Sequence, residues 1–360
     1  MTASLVASAA AQSTITLGMV VGLTGAFAGG ESPLVNGTKL AVEELNAKGG
    51  IGGKRINLII EDTGSEQTGA VNAYNRIIGQ QPVAIMDTTL SGFVLSQIGM
   101  IQDEGIPTLT GAASAQLAPD KKGADALLRV RTSDTRVPSG AVRFALDNLG
   151  AKSIAVLRGN TEYGNGWRSA IEETLKAKGL KPAIVESYEG TDRDLTPQLL
   201  RIKNANPDVL IMSGDPPNFV VAVQQMKQLG LSMKVIFSNA GVLPTTIKLY
   251  QDAANGFYGT VDSVPGEDPA QKEWADRYRK HFNLEPDYSA AEYYDGVMMV
   301  AAAIGKVGTG KEALLKELRG IRAYKGVGNT YTYAEKGDGG ESVAIVQIEA
   351  GKVKLAATMK

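Results

Sequence analysis

The chain has 360 residues, of which 43% are hydrophobic and 21% charged, and its formal net charge at pH 7 is −1. This composition is that of an ordinary globular protein, and the length suits two lobes of roughly 150 residues each. A nearly neutral chain lacks the basic surface that nucleic acids and anionic membranes attract, so we expect neither partner. No apolar run in the sequence reaches the ~20 residues of a membrane span.

The sequence carries few of the side chains on which catalysis depends. It has one histidine, His281, and no cysteine. A single histidine supports neither a Ser–His–Asp nor a Cys–His set, and no metal-ligand cluster can be assembled around it. The glycines at residues 160–166 lack the spacing and the lysine of a phosphate-binding loop. We therefore expect a binding protein rather than an enzyme, with no metal and no cofactor.

Residues 1–13 are interpreted as a leader. Ala9 and Ala11 occupy positions −3 and −1 of a cut after Ala11, as at the end of a secretory signal peptide, although the positively charged start is missing. A disordered, tag-like leader is the alternative. Without cysteine there is no lipid-attachment site, so we expect an exported, unanchored protein in the periplasm of a double-membraned bacterium.

Apolar strands and amphipathic helices alternate along most of the chain. The first unit predicts strands at residues 15–21, 56–60, 83–86 and 106–110. A second unit of similar length predicts strands at residues 153–157, 183–188, 209–213 and 235–238. Near-continuous apolar strands separated by helices are typical of parallel sheets covered on both faces. The repeat of the unit predicts an α/β fold with two similar, doubly wound parallel-sheet lobes.

The last third of the chain changes character. It predicts a strand-like crossing at 256–262, helices at 290–304 and 312–318, and antiparallel strands with turns within 329–360. Composition does not shift sharply anywhere, so we expect ordered crossings between the lobes rather than a linker. Candidate hinges lie near residues 132–134, 258–261 and Gly340.

Small polar groups follow two strands of the first unit. Ser91 opens a helix, where it can act as a helix cap or, with the exposed N–H groups of the first turn, hold a carboxylate. The loop at 110–114 contains Ala112 and Ser114, whose small side chains let a ligand approach the backbone. A plain strand-to-loop turn is the alternative for this loop.

Two further candidates follow strands of the second unit. Tyr163 presents an aromatic face and a hydroxyl group to a cleft between the lobes. Asp215 is placed to hold a ligand cation, or alternatively to cap the helix that follows it.

Four stretches, taken in order, resemble the type I periplasmic binding proteins, specifically the leucine/isoleucine/valine-binding family that serves ABC importers. They are residues 15–25 (ITLGMVVGLTG), 36–53 (NGTKLAVEELNAKGGIGG), 103–114 (DEGIPTLTGAAS) and 163–166 (YGNG). The resemblance extends from about residue 14 to the C-terminus. It implies a two-lobed clamp with a three-crossover hinge, an N-terminal lobe of residues 14–133 plus 262–340, and a C-terminal lobe of residues 134–261 plus 341–360.

The resemblance also implies a ligand site. In the family, the ligand carboxylate is held at positions that match Ser91, the backbone of Ala112, and Ser114. The tyrosine that matches Tyr163 reaches the ligand from the second lobe as the cleft closes. Tyr293, on the long helix near the hinge, aligns loosely with a residue that lines the pocket.

One part of the family pattern is missing. The acidic residue that holds the ammonium group of an amino acid lies in the loop at 238–242, which here contains Asn239 and Ala240. Its aligned position is Ala240, which carries no charge, whereas Asp215 aligns with a position that is often aromatic. Either Asp215 has taken over the ammonium group, or the ligand is an aromatic or aliphatic acid that lacks one.

We therefore expect a monomeric periplasmic solute-binding protein that captures an amino acid or related small carboxylate by hinge closure and delivers it to an inner-membrane ABC permease. A ligand-sensing receptor domain of the same fold is an alternative. An enzyme on the same type of sheet would need a nucleophile or an acid/base pair in the cleft.

Overall fold

The computed structural model describes residues 14–117, 125–133, 135–264, 269–333, 339–341 and 343–359. The predicted leader, residues 1–13, and residue 134 of the first predicted hinge lie outside the described residues. The strands are β1 (Ile15–Val21), β2 (Ile56–Asp62), β3 (Ala84–Asp87), β4 (Thr108–Thr110), β5 (Leu127–Arg129), β6 (Ile154–Gly159), β7 (Ile184–Tyr188), β8 (Val209–Ser213), β9 (Lys234–Phe237), β10 (Tyr258–Val261), β11 (Tyr324–Lys325), β12 (Thr330–Tyr331), β13 (Val343–Glu349) and β14 (Lys352–Met359).

Helices connect most of these strands. They are α1 (Ala28–Ala47), α2 (Gln67–Ile78), α3 (Ser91–Glu104), α4 (Val137–Arg143), α5 (Glu162–Ala177), α6 (Thr196–Ala205), α7 (Pro216–Gln228), α8 (Pro244–Tyr250), α9 (Pro269–Phe282), α10 (Tyr288–Val307) and α11 (Lys311–Arg319). A π-helical turn, Phe144–Asn148, prolongs α4, and a 3-10 turn, Asn239–Val242, precedes α8.

Two sheets form the cores of two lobes. The first has the order β2-β1-β3-β4-β5 and is parallel throughout. The second has the order β14-β13-β10-β9-β8-β6-β7, in which only β13 and β14 introduce antiparallel pairs. The predicted α/β fold with two parallel-sheet lobes is thus confirmed. The predicted lobe boundaries fall between the segments that supply the two sheets, and their positions stay predictions.

The predicted strands of both units are present, with ends that shift by a few residues. The sequence missed β5 and the small β11–β12 hairpin, because two or three residues are too short to show a hydrophobic period. The predicted antiparallel strands at the end of the chain are β13 and β14, joined by a turn at Ala350 and Gly351.

Helices α1 and α10 pack together over the first sheet. At Gly37 of α1, a Cβ atom would lie 2.0 Å from the carbonyl oxygen of Ala290 in α10. Only glycine permits this approach of two backbones. The close packing places the first turn of α10 beside the middle of α1.

The chain segments that cross between the lobes meet at Asp262. Its Oδ1 accepts a hydrogen bond from Thr132 N at 2.8 Å, and its Oδ2 accepts one from Asn239 Nδ2 at 3.0 Å. Oδ2 also lies 3.5 Å from Nη2 of Arg131. The third crossing joins the same cluster, because Gly340 N donates to the Arg131 carbonyl at 3.2 Å. The Asp262 carboxylate therefore connects the first two predicted hinges, and the third joins them through the backbone of Arg131.

We expect Asp262→Ala to destabilise the protein by about 3–5 kcal/mol, because it leaves the buried Arg131 guanidinium without its ion-pair partner. Asp276→Ala is the control. Asp276 pairs with Lys272 and Arg279 at the surface, where ion pairs contribute little. Urea unfolding, monitored by circular dichroism, measures the free energy of unfolding of both variants. Equal, small losses would show that Asp262 does not hold the crossings together.

Candidate functional site

A cavity of about 430 Å³ lies between the two lobes. Its first-lobe wall includes Phe27 and Leu34 of the α1 region and Thr89 before α3. Its second-lobe wall is mostly apolar, formed by Pro216, Pro217, Val220, Ala240, Leu243 and Leu249. Tyr288, at the start of α10, completes the lining. A largely apolar cleft with a few polar groups is the usual form of a small-molecule site.

Asp215 brings a carboxylate to the second-lobe wall. It precedes α7 at the end of β8 with an extended backbone, yet its side chain makes no capping hydrogen bond. Asp215 therefore occupies the cap position of α7, as the alternative expects, but its side chain does not hydrogen-bond the first turn and stays available to a ligand. Burial raises the pKa of Asp215 above its usual value. No arginine, lysine or histidine is among the described residues that line this cavity.

A second acidic side chain, Glu31 of α1, also lines the cavity but is already saturated. Its oxygens accept hydrogen bonds from Gly22 N at 2.5 Å, from Thr89 N at 3.1 Å and from the Thr88 hydroxyl group. Burial nevertheless raises the pKa of Glu31. We assign it a structural role in joining α1 to the loop before α3. No pattern in the sequence distinguishes Glu31 from an ordinary surface glutamate.

The predicted carboxylate-binding residues of the first lobe lie together. Ser91 Oγ accepts a hydrogen bond from Ser114 N at 3.3 Å, and both residues are buried. Ser91 is the first residue of α3 and not its cap, because the cap position is Leu90 and no side-chain capping bond is present. The Ala112 N–H donates to Thr110 Oγ1 at 2.9 Å. The N–H groups of Ala112 and Ser114 thus both have acceptors within the protein in this structure.

This group lies beside the 430 Å³ cavity, whose lining includes Thr89 and Leu90, rather than within it. Ser114 lines a neighbouring cavity of about 200 Å³ together with Asn165 and Gly166 of α5. The lobes touch here, because Gln116 Nε2 donates to Glu162 Oε2 at 2.5 Å. The first-lobe loop therefore faces the start of α5 across the cleft.

Tyr163 lies in this first turn of α5, half-buried, with its ring 6.0 Å from that of Trp167. It is close enough to Arg131 to contribute to the raised pKa of that guanidinium, after the larger contributions of Asp262 and Tyr288. The predicted second-lobe tyrosine thus packs against the core of its own lobe and lines neither of the two cavities.

The structure changes the roles expected for two residues. Tyr293 is fully buried, and its hydroxyl group donates to the Asp87 carbonyl and accepts from Gly111 N at 3.0 Å. The aromatic side chain of α10 that lines the cavity is Tyr288 instead. Asn239 is also buried, and its amide bridges Asp262 and Thr260, so only its neighbour Ala240 reaches the cavity.

Thr246 of α8 is a lining residue that the sequence did not indicate. Its hydroxyl group is buried and has no hydrogen-bond partner among the described residues. With Asp215, it is one of the few polar groups on an otherwise apolar wall. A threonine in a short helix gives no signal in a single sequence.

Two classes of site receive no support from the described part of the chain. No group of three or more histidine, aspartate or glutamate side chains is placed there to hold a metal ion. Within the same residues, no helix combines the length and the apolar character that crossing a membrane requires.

Known proteins share this architecture over nearly their whole length. The family model described as periplasmic binding protein matches residues 14–352. The Leu/Ile/Val-binding protein BraC3 of Rhizobium johnstonii is 28% identical, over 99% of this chain and 98% of that protein. The crystal structure of a leucine-binding protein, LivK, from Thermotoga maritima superposes with a TM-score of 0.88 at 25% identity, covering 96% of this chain and 99% of that one.

A more distant neighbour shares the fold alone. The solute-binding protein of an ABC transporter from R. palustris, solved in complex with benzoate, has a TM-score of 0.86 at 14% identity and covers 96% of each chain. The residues matched by the family model include all four stretches that carry the resemblance in the sequence. The chain therefore belongs to the type I periplasmic binding proteins of the branched-chain amino acid family, which are solute-binding proteins and not enzymes.

Proposed function

We propose that the chain is the periplasmic solute-binding component of an ABC importer, and that it captures an amino acid with a bulky apolar side chain for delivery to an inner-membrane permease. The choice of ligand rests on the position of Asp215 in the cavity wall. Its side chain makes no capping hydrogen bond and has no hydrogen-bond partner among the described residues, and the described lining of its cavity includes no basic residue.

The charge of the wall favours a ligand that has an ammonium group. A buried ammonium group without a counter-charge costs several kcal/mol, and Asp215 supplies that charge in place of the acid missing at Ala240. An acid without an ammonium group would instead leave the Asp215 carboxylate buried and unpaired. Burial raises the pKa of Asp215 because it penalises the charged form, and a bound ammonium group would lower that pKa again.

The size and polarity of the cavity favour a bulky side chain. Its volume of about 430 Å³ lies in the range of about 300–1,000 Å³ that is usual for small-molecule sites. We infer that the cavity accommodates an amino acid with a bulky side chain such as leucine or phenylalanine. The apolar wall at Val220, Leu243 and Leu249 would cover such a side chain.

The alternative ligand is an organic acid. Ala240 supports it, since the family's ammonium-binding acid is absent there, and a protein of the same fold holds benzoate. Calorimetric titration of refolded, ligand-stripped protein separates the two. One panel contains L-valine, L-leucine and L-phenylalanine, and the other contains their deaminated analogues 3-methylbutanoate, 4-methylpentanoate and 3-phenylpropanoate. Binding confined to the first panel supports the proposal, whereas binding confined to the second overturns it.

Asp215→Asn should lower the affinity for the amino acids by roughly a hundredfold, about 3 kcal/mol, because it removes the charge that pairs with the buried ammonium group. Asp252→Asn is the matched control, since Asp252 is exposed on the same lobe, and it should leave binding unchanged. The same calorimetric titration measures both. A change of less than threefold for Asp215→Asn would remove this residue from the site.

Ser91→Ala should weaken binding of the same amino acids by about 1–3 kcal/mol, because the hydroxyl group donates to a charged acceptor. Ser96→Ala is the control on the same helix, where the hydroxyl group donates only to the local Phe93 carbonyl at 2.6 Å. Equal affinities for the two variants would mean that Ser91 serves the loop of Ser114 and not the ligand.

A further inference from the structure

Arg131 is a buried cation with few partners. It follows β5, and only 5% of it is exposed. Neither Nε nor Nη2 has a hydrogen-bond partner among the described residues, although Nη2 lies 3.5 Å from Asp262 Oδ2. Its Nη1 makes only a long contact, 3.5 Å, with the Gly111 carbonyl. A guanidinium offers five N–H donors, and leaving them unsatisfied in the interior is costly.

The surroundings of Arg131 connect it to the ligand site. The guanidinium carbon lies 5.9 Å from the centre of the Tyr288 ring, which forms part of the cavity wall. Gly111 begins the loop that contains Ala112 and Ser114, the predicted carboxylate contacts. Arg131 is thus adjacent to that loop and to Tyr288 of the cavity wall, although it is not itself among the residues that line the cavity.

The unsatisfied donors of Arg131 have the geometry that suits a carboxylate. Nε and Nη2 form one edge of the guanidinium plane, and two parallel N–H groups on such an edge bind both oxygens of a carboxylate. Asp262 Oδ2 lies 3.5 Å from Nη2 and compensates the charge, but neither Nε nor Nη2 makes a hydrogen bond to it or to any other described residue. Asp262 also accepts hydrogen bonds from Thr132 and Asn239, and burial raises the pKa of Glu292 well above its usual value.

We propose that Arg131 binds the carboxylate of the ligand and determines specificity for it, alongside the neutral donors of the Ser91 and Ser114 group. The proposal rests on the proposed function, since it takes the ligand to be an amino acid in this cleft. Arg131 and Asp215 then pair with the two opposite charges of a zwitterion. An uncharged amide of the same amino acid would lose the contact with Arg131 and keep the one with Asp215.

The test compares each amino acid with its amide, using L-leucine with L-leucinamide and L-phenylalanine with L-phenylalaninamide. Arg131→Met should weaken the amino acid at least thirtyfold and the amide less than threefold, so that the preference for the carboxylate largely disappears. Arg131→Lys, which keeps the charge without the paired donors, should give an intermediate preference. Arg136→Met, at an exposed arginine near the same crossing, should leave both affinities unchanged.

Equal losses for the amino acid and its amide in Arg131→Met would mean that Arg131 only supports the crossings, which overturns the proposal. If Arg131→Met fails to fold because Asp262 is left unpaired, the comparison is made in the Arg131→Met/Asp262→Asn double variant, with Asp262→Asn as its reference. Wild-type protein that binds neither amino acid would overturn the proposed function and this inference together. Wild-type binding with an unchanged preference in the variant overturns the inference alone.

Discussion

The buried carboxylate of Asp262 is the constraint on which the arrangement of the two lobes depends. It receives hydrogen bonds from Thr132 at the first crossing and from Asn239 beside the second, and it lies 3.5 Å from Arg131. The crossings are therefore ordered and short, so the lobes are held at one edge. In the proposed function, hinge motion at these crossings would let each lobe keep its own core while the walls of the cleft approach or separate.

Two charged side chains, Asp215 and Arg131, carry the proposed ligand recognition. Asp215 lies on the second-lobe wall with no side-chain hydrogen bond among the described residues, whereas Arg131 lies next to the crossings, where its Nε and Nη2 make none. The rest of the cavity wall is mostly apolar. In the proposed complex, the ammonium group of the amino acid pairs with Asp215, its carboxylate pairs with Arg131, and its side chain contacts the apolar wall. A ligand without the ammonium group would leave the half-buried Asp215 carboxylate without a counter-charge.

The sequence was sufficient for the fold and for the placement of part of the candidate site. Strands such as β1 and β8 are near-continuous apolar runs between amphipathic helices, which is typical of parallel sheets. Ser91 and Ser114 meet because they follow adjacent parallel strands. Tyr288 and Tyr293 could not be separated, because α10 is buried on nearly all sides and its periodicity does not show which face meets the cleft. Arg131 and Glu31 depend on long-range packing, which leaves no local pattern in the chain.

The central claim is that the lobes close about the Asp262 crossings when an amino acid binds. Small-angle X-ray scattering of the ligand-stripped protein, with and without saturating L-leucine or L-phenylalanine, tests it most directly. Hinge closure predicts that the amino acid shown by calorimetry to bind gives a smaller radius of gyration than the ligand-stripped protein has. An unchanged radius of gyration at saturation would contradict hinge closure and would mean that the ligand binds to lobes whose arrangement is already fixed.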